Sequence, residues 1–312
     1  GMTGITSAHA LDTAGLDVVL IDKGAAVGGR MATRRIGDAT FDHGAQHISV
    51  RTAEFAEEIE GLVRHGAADV WYRSESVTHP ELGKENRYVG VGGMRRIPEA
   101  LMEGLLVRTG IRVDRLTIDT EGVTAIVGNA PLATADAAIL TPPLPQTFQL
   151  LASSNAAGGS EVDSIADVGY DATLAVMAVL DGSPMLVDGH RAFDSGPIAW
   201  MADNQQKGVS AVPAMTIHSS PEFAATHLES DPDRWTAELL AAARPFHQAT
   251  VVRAVAHRWR FAQPRATLEV GAVAIAAAAP VVLAGEVFAG ARVEGAHRSG
   301  RVAAQLILDR VG

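Results

Sequence analysis

A run of glycine and arginine residues near the start of the chain has the residue types that hold a negatively charged group. Gly28 and Gly29 let the backbone pass close to a ligand, and three arginines follow at Arg30, Arg34 and Arg35. Guanidinium groups can neutralise a pyrophosphate that a helix N-terminus balances only in part. The alternative is a basic, solvated loop, yet such a cluster in an acidic protein favours an anion site.

A second glycine pattern indicates the kind of anion. Gly1 and Gly4 stand where the second and third glycines of a G-x-G-x-x-G dinucleotide fingerprint would stand. Residues 1–14 predict a helix that Gly15 ends. Residues 17–22 predict a buried parallel strand closed by Asp22, where a ribose hydroxyl needs an acceptor. The glycines alone are weak evidence, and the alternative for Asp22 is a surface turn residue.

The fingerprint normally opens with a strand and a first glycine, and neither precedes Gly1 in this sequence. Either the start is placed about ten residues too late for this architecture, or a tag glycine before the initiator Met2 aligns by chance. We therefore expect the first strand of the Rossmann unit to be missing.

Four blocks of the chain together resemble one known family. They are residues 4–35, the Phe-Asp-His-Gly-Ala-Gln run at 41–46, the Ala-His-Arg-Trp-Arg-Phe-Ala-Gln-Pro run at 256–264, and the Gly-Ala-Arg-Val-Glu-Gly-Ala run at 290–296. In this order they are similar to the bacterial renalase-like branch of the flavin-containing amine oxidase superfamily, and they span essentially the whole chain.

This resemblance implies an α/β fold class, with a Rossmann-like FAD-binding domain and an interleaved α+β substrate domain that contains an antiparallel sheet. The boundaries that we expect are 1–51, 93–150 and 265–312 for the FAD-binding domain. The substrate domain would then comprise residues 52–92 and 151–264.

The same resemblance implies a noncovalently bound FAD. Gly4 would face the pyrophosphate, Asp22 the adenosine ribose, and Val113 would contact adenine through its backbone. At Glu286 the family's motif carries an aspartate, which is one methylene shorter, and the helix that starts at 290–296 would lie beneath the flavin ring. The implied cofactor-binding residues are Gly1, Gly4, Asp22, Lys23, Gly29, Arg30, Met31, Arg35, Val113, Gly285, Glu286, Arg292, Val293 and Glu294.

On the substrate side, the resemblance implies catalytic roles for His47, His257 and Trp259, with Gln46 and Trp200 as further candidates. A lone histidine is more often structural, and a tryptophan more often belongs to the core. His47 stands where close relatives often carry tyrosine, and this departure bears on the choice of substrate.

Lysine is scarce, and this bears on the reaction. The chain has three lysines, Lys23, Lys84 and Lys207, and only Lys207 lies centrally in the expected substrate domain, within a polar Asn-Gln-Gln-Lys-Gly turn. Many amine oxidases of the superfamily hold a lysine and a water near the flavin, so the sequence argues against a site of that kind.

The renalase-like resemblance implies oxidation of isomeric dihydronicotinamides, with electrons passed to O2 to give H2O2. The alternatives are an oxidase or dehydrogenase of other amines or lipids, and a catalytically idle chain that binds FAD poorly.

Composition limits the partners and the compartment. The chain has 312 residues, 47% of them hydrophobic, and a net charge of −10, which disfavours nucleic acid and anionic membranes as partners. The absence of cysteine excludes disulfides, zinc–thiolate sites and a flavin linked through sulfur. We expect a cytoplasmic monomer or weak homodimer that acts on a small-molecule substrate, without a metal, a signal peptide or a membrane span. The Ala-rich residues 270–285 predict a buried strand instead of a span.

Hydrophobic periodicity predicts the remaining elements. Helices are expected over 51–65, with Phe55, Ile59 and Leu62 on one face, and over 99–107 after Pro98. Residues 153–160 have the composition of a linker. The predicted strands are 112–119 and 135–141, then 172–180, 198–203 and 214–219 in a separate antiparallel sheet.

Overall fold

A computed structural model describes residues 1–75, 84–155 and 165–311. Its helices are α1 (Met2–Thr13), α2 (Ala53–Arg64), α3 (Arg96–Leu101), α4 (Leu144–Ala152), α5 (Pro221–His227), α6 (Pro232–Ala243) and α7 (Val293–Val311). Its strands are β1 (Val19–Ile21), β2 (Thr33–Ile36), β3 (Ala39–Asp42), β4 (Ile48–Ser49), β5 (Ala68–Glu75), β6 (Lys84–Gly90), β7 (Leu106–Arg108), β8 (Arg115–Asp119), β9 (Gly122–Val127), β10 (Ala130–Ala135), β11 (Ala138–Leu140), β12 (Tyr170–Leu180), β13 (His190–Ala192), β14 (Ile198–Asp203), β15 (Ala214–Ser219), β16 (Val251–Pro264), β17 (Ala272–Ile275) and β18 (Val281–Ala284).

The chain forms two compact units, each built from separate stretches of sequence. The first unit comprises Gly1–Gly29, Leu101–Gly169 and Pro264–Gly312, and the second comprises Arg30–Ala100 and Tyr170–Gln263. The boundaries expected from the sequence differ in two main ways. They assign residues 30–51 and 93–100 to the FAD-binding domain, and they begin the second stretch of the substrate domain at residue 151, whereas the first unit extends to Gly169. Those functional boundaries stay a prediction.

The first unit is a Rossmann-like assembly of short parallel strands and helices. β1 pairs in parallel with β7, and β11 pairs in parallel with β18, to which β17 adds an antiparallel edge. β8, β9 and β10 form an antiparallel meander. β18 is buried along its whole length, as expected for a strand covered on both faces.

Two helices of the first unit pack closely because small residues face each other. α1 lies against α7, where a Cβ on Gly300 would come within 2.5 Å of the carbonyl oxygen of Thr3. Leu11 of α1 and Ile307 of α7 share a buried cluster with Val282 of β18. Burial of this apolar surface stabilises the helix pair by about 25 cal/mol per Å².

The second unit is built around a five-stranded sheet in the order β13-β14-β15-β12-β16. β12, β13, β14 and β15 run antiparallel to their neighbours in that group. The sheet's core includes Trp235 and Leu239 of α6, both fully buried. A second sheet, β4-β6-β5, lies in the same unit as α2, whose buried residues are Phe55, Ile59 and Leu62.

Most of the predicted elements are confirmed, with three differences. The helix predicted over 99–107 is wrong in its bounds, because α3 ends at Leu101 and the left-handed turn at Gly104 leads into β7. The single strand predicted over 270–285 is two antiparallel strands, because the segment around Pro280 reverses the chain. Val113 lies two residues before β8 and not within a strand.

Most of the predicted linker, at 156–164, falls outside the described residues, and residues 153–155 form a turn.

Candidate functional site

The start of α1 is rich in glycine and lacks a side-chain cap. Gly1 is the N-cap residue of α1 and supplies no side-chain cap. Gly28 and Gly29 adopt positive φ angles of 106° and 55°, and a Cβ on Gly29 would lie 3.3 Å from the Cα of Gly1. We call these three glycines the glycine cradle, and no side chain caps the N–H groups at this helix start. This arrangement fits a pyrophosphate group.

Gly4 has a packing role inside α1. A Cβ at this position would lie 3.4 Å from both Leu20 of β1 and Thr141, which follows β11. Glycine therefore lets the helix approach the strands closely, as the third glycine of a dinucleotide fingerprint does.

Asp22 follows β1 directly and keeps one carboxylate oxygen near the glycine cradle. Its Oδ1 accepts a hydrogen bond from the Gly24 N–H at 2.8 Å, and its Oδ2 lies 3.8 Å from the Gly1 nitrogen. The backbone of Asp22 bonds to that of Ile111, so the segment carrying Val113 runs beside it. Lys23 donates to Gln146 Oε1 at 2.8 Å. A half-buried carboxylate in this place fits a ribose hydroxyl.

The last helix of the first unit begins with tightly packed backbone. A Cβ on Gly295 would overlap the carbonyl oxygen of Gly290, so no larger residue fits there. Glu286 and Glu294 are buried, whereas Arg292 is exposed and Val293 is half-buried. Gly285 lies just before Glu286 and donates its N–H to Ser299 Oγ at 2.9 Å.

Three of the predicted cofactor residues belong to the second unit. Arg30 donates to the carbonyl oxygen of Ala262 at 3.1 Å, and Met31 is buried. Arg35 donates to the carbonyl oxygen of Gly37 at 2.9 Å and is 74% exposed. Their contact with phosphate stays a prediction.

A buried ion pair lies within the second unit. The Lys207 Nζ lies 2.8 Å from Asp42 Oδ2, and neither side chain is exposed to solvent. Asp42 Oδ1 accepts hydrogen bonds from Thr33 Oγ1 at 2.6 Å and from the Met94 N–H at 2.8 Å. Burial lowers the pKa of Lys207, and the Asp42 carboxylate opposes that shift.

The backbone that follows Asp42 is fixed by three more bonds. Asn204 Oδ1 accepts the Asp42 N–H at 3.1 Å. The Asp42 carbonyl oxygen accepts bonds from Thr216 Oγ1 at 2.9 Å and from Gln46 Nε2 at 2.8 Å. These bonds fix the two ends of segment 42–47, which carries His43 and the candidate His47.

One histidine of that segment belongs to a stack of rings. His43 lies 4.6 Å from His257 and 5.3 Å from Trp259, between ring centroids, and we call these three residues the histidine stack. The His43 carbonyl oxygen accepts the Trp259 indole N–H at 2.7 Å and lies 3.0 Å from His218 Nε2. Burial and the nearby His257 lower the pKa of His43 to about 3, and burial lowers that of His218 to about 4.

The other histidine belongs to a separate group of rings. The aromatic cluster consists of His47, Trp71, Tyr72, His190 and Trp200. His190 stacks on Tyr72 at 4.0 Å and on Trp200 at 4.8 Å, and Lys207 Nζ lies 4.9 Å from the Trp71 ring centroid. Burial, with the charges of Lys207 and Arg87, lowers the pKa of His47 to about 3. His43 in the histidine stack and His47 in the aromatic cluster are therefore neutral imidazoles near pH 7.

Of the predicted catalytic residues, His257 and Trp259 lie together in the histidine stack, while His47 and the candidate Trp200 lie in the aromatic cluster. Gln46 Nε2 donates to the carbonyl oxygens of Asp42 and Gly44. Sequence reasoning missed the pairing of Asp42 with Lys207 and placed Lys207 only within a polar turn. The residue does lie in a turn, but its side chain is buried, because it reaches back to Asp42.

Two further observations concern metals and membranes. Among the described residues, no three His, Asp or Glu side chains are grouped so that they could hold a metal ion. In the same part of the chain, none of the helices has the length and apolar character needed to span a bilayer.

Comparison with known proteins connects these features. A model of the NAD(P)-binding Rossmann-like domain matches residues 1–64, and a model of the flavin containing amine oxidoreductases matches residues 74–308. The fold is similar to that of a putative protoporphyrinogen oxidase from Exiguobacterium sp. 255-15, with a TM-score of 0.75 and 14% identity over 99% of this chain and 97% of that one. It is also similar to putrescine oxidase bound to putrescine, with a TM-score of 0.70 and 16% identity over the same shares.

At 14–16% identity, the solved structures show only that the fold is shared. The family is assigned from the match of the sequence to the family model. The glycine cradle and Asp22 are suited to the pyrophosphate and ribose of a dinucleotide cofactor. Because the match over residues 74–308 covers well over half of the chain, the protein belongs to the flavin containing amine oxidoreductase family and is an FAD-dependent oxidoreductase.

Proposed function

We propose that this protein is a renalase-like oxidase that takes a hydride from a small reduced substrate, such as an isomeric dihydronicotinamide. When bound, FAD supplies the acceptor for the hydride and passes the two electrons to O2, which becomes H2O2. The substrate loses a hydride and becomes an aromatic pyridinium, so no side chain has to remove a proton from carbon or nitrogen.

One observation carries this proposal: Lys207, the central lysine of the second unit, is held by Asp42 at 2.8 Å and is fully buried. An amine must be neutral to be oxidised, so a protonated amine first loses a proton, and a protein base aids this deprotonation. Here Lys207 is engaged with a carboxylate. His43 and His47 have pKa values lowered to about 3, so their imidazoles are unprotonated at neutral pH but bind a proton too weakly to serve as effective bases. The site favours a donor that needs orientation and no base.

A second candidate function is the oxidation of an amine. The observation that favours it is the burial of Lys207, which lowers the pKa of this lysine and makes its neutral form more accessible. In this case Lys207 would have to leave Asp42 or share the proton with it.

The two candidates are separated by anaerobic stopped-flow reduction of the FAD-loaded protein. Isomeric dihydronicotinamides are expected to bleach the flavin absorbance rapidly, and readmission of O2 should then give one H2O2 for each substrate consumed. Putrescine and benzylamine are expected to leave the flavin oxidised over the same period. Rapid bleaching by an amine, with none by the dihydronicotinamides, would sink the proposal and establish the second candidate.

A further inference from the structure

The aromatic cluster contains ring nitrogens that the protein leaves unpaired. Trp71 Nε1, Trp200 Nε1 and His47 Nδ1 are each buried and have no hydrogen-bond partner among the described residues. An indole N–H can only donate, so each tryptophan needs an acceptor. A buried donor without one costs about 1–3 kcal/mol, and native proteins normally satisfy such groups with water or a ligand.

The three nitrogens belong to rings that touch one another. His47 lies 5.7 Å from Trp200 and 6.5 Å from Trp71, and the two indoles lie 6.4 Å apart, between ring centroids. Tyr72 and His190 stack at one side. The cluster therefore combines flat apolar faces with unpaired donors, and this combination suits a flat group that carries an oxygen acceptor.

The charged groups that lie next to the aromatic cluster are positive. The ammonium of Lys207 lies 4.9 Å from the Trp71 ring centroid, and Arg87 lies opposite Tyr72 where β5 pairs with β6. The matching carboxylates are already engaged, with Asp42 2.8 Å from Lys207 and Glu85 2.9 Å from Arg87. A protonated amine would seek an aromatic face or a carboxylate. The protein's own lysine already uses the Trp71 ring in this way.

We propose that the aromatic cluster binds a flat, uncharged group with an oxygen acceptor, of the carboxamide class, and discriminates against protonated amines. This inference rests on the proposed function, because it names the class of group that the same site takes. The acceptor oxygen would receive the indole N–H groups of Trp71 and Trp200, and the faces of the neighbouring rings would hold the plane of the ligand.

A matched pair of probes tests the inference on the FAD-loaded protein. Benzamide and benzylamine share a phenyl ring and differ in that benzamide carries a neutral carbonyl where benzylamine carries a protonated amine. Isothermal titration calorimetry at neutral pH is expected to give a Kd for benzamide at least tenfold below that for benzylamine. Equal or tighter binding of benzylamine would overturn the inference.

Trp200→Phe then tests the hydrogen bond. The variant keeps an aromatic ring and loses one N–H, so the affinity for benzamide should fall about fivefold, and the weak binding of benzylamine should not change. Trp71→Phe is the second variant, with the same expected result, and serves if Trp200→Phe does not fold. Trp235→Phe is the matched control, because Trp235 is fully buried in the core of the five-stranded sheet, and it should leave the ratio of the two affinities unchanged.

The outcomes separate this inference from the proposed function. If both probes lose affinity equally in Trp200→Phe and Trp71→Phe, the donor role is wrong, whatever the enzyme oxidises. If benzamide is preferred and the variants behave as expected, the binding class is established. An absence of turnover of isomeric dihydronicotinamides in that case would overturn only the proposed function.

Discussion

Lys207 and Asp42 form an ion pair that is buried in the second unit. Both side chains are withdrawn from water, so the removal of one leaves the other charge buried without its partner. We expect Lys207→Met to lower the free energy of unfolding by about 3–5 kcal/mol, as measured by urea denaturation. Adding Asp42→Asn to this variant should recover part of the loss, because no lone charge then remains.

The exposed pair of Arg35 and Asp38 provides the control for this prediction. Their charged atoms are 3.8 Å apart and the side chains are 74% and 88% exposed, so Arg35→Met should change the stability by less than about 0.5 kcal/mol. A loss in Lys207→Met no larger than in this control would contradict the prediction.

Individual site residues could be predicted from the sequence only where they lie within a recognisable motif. The blocks at 41–46 and 256–264 indicated His257 and Trp259, and the structure brings both onto His43. The partnership of Lys207 with Asp42 left no local signal. A lysine in a run of polar residues looks solvated until the fold places a carboxylate beside it.

At the scale of elements, the packing of α1 against α7 positions the glycine cradle. A Cβ on Gly300 would come within 2.5 Å of the Thr3 carbonyl oxygen and within 2.9 Å of the Thr6 side chain, so Gly300→Ala must push the helices apart. We expect a loss of about 1–3 kcal/mol in stability, together with a lower FAD content after purification. Thermal melting and the ratio of flavin to protein absorbance measure the two effects.

Gly182→Ala is the matched control for this substitution. A Cβ at Gly182 would have no neighbour within 4 Å and the residue has no positive φ angle, so its melting temperature and FAD content should stay at the wild-type values. If Gly300→Ala also behaves like wild type, the close helix contact does not support the cofactor site.

Helices and strands with a clear periodicity of apolar residues were predictable from the sequence. Elements whose bounds depend on where the chain turns were not. The spacing of Phe55, Ile59 and Leu62 predicted α2, and all three are buried. The Ala-rich run at 270–285 has no such period, and it folds as β17 and β18 because the chain reverses between them. Alanine is compatible with strand, turn or helix, so tertiary pairing settled that segment.

For the whole molecule, the buried His43 and the partly buried His47 and His218 predict how stability depends on pH. The pKa values of His43 and His47 are lowered to about 3 and that of His218 to about 4, in each case chiefly by burial, against about 6.5 in an unfolded chain. Between these values the unfolded chain binds more protons than the folded one, so stability falls as the pH falls below about 6.5. Each histidine contributes about 1.4 kcal/mol per pH unit in that range.

Urea denaturation at several pH values between 7.5 and 5, about the range in which histidines titrate, tests this expectation. His47→Gln should make the dependence on pH less steep, and His9→Gln, at an exposed position of α1, should leave it unchanged. A midpoint that does not move between these pH values would show that the three imidazoles protonate freely in the folded protein.

The fold class was predictable at this scale because its evidence is spread along the chain. The strand at 19–21 and the sheet strands at 170–180, 198–203 and 214–219 follow patterns of apolar residues. The division into units was harder to foresee. Residues 30–51 continue directly from the glycine cradle, yet their contacts place them with the second unit, and sequence order alone does not show this.

The interleaving of the two units also determines the order in which the protein can be completed during translation. The stretches of the second unit, up to Gln263, are all synthesised before α7, which follows every other helix and strand that the structure describes. α1 must therefore wait for the helix that it packs against, because α1 is synthesised well before α7. Because domains fold as units during synthesis, the second unit can form early, whereas the glycine cradle reaches its final support only when α7 has emerged. A chain stalled before Val293 would thus carry a folded second unit and an α1 without its partner helix.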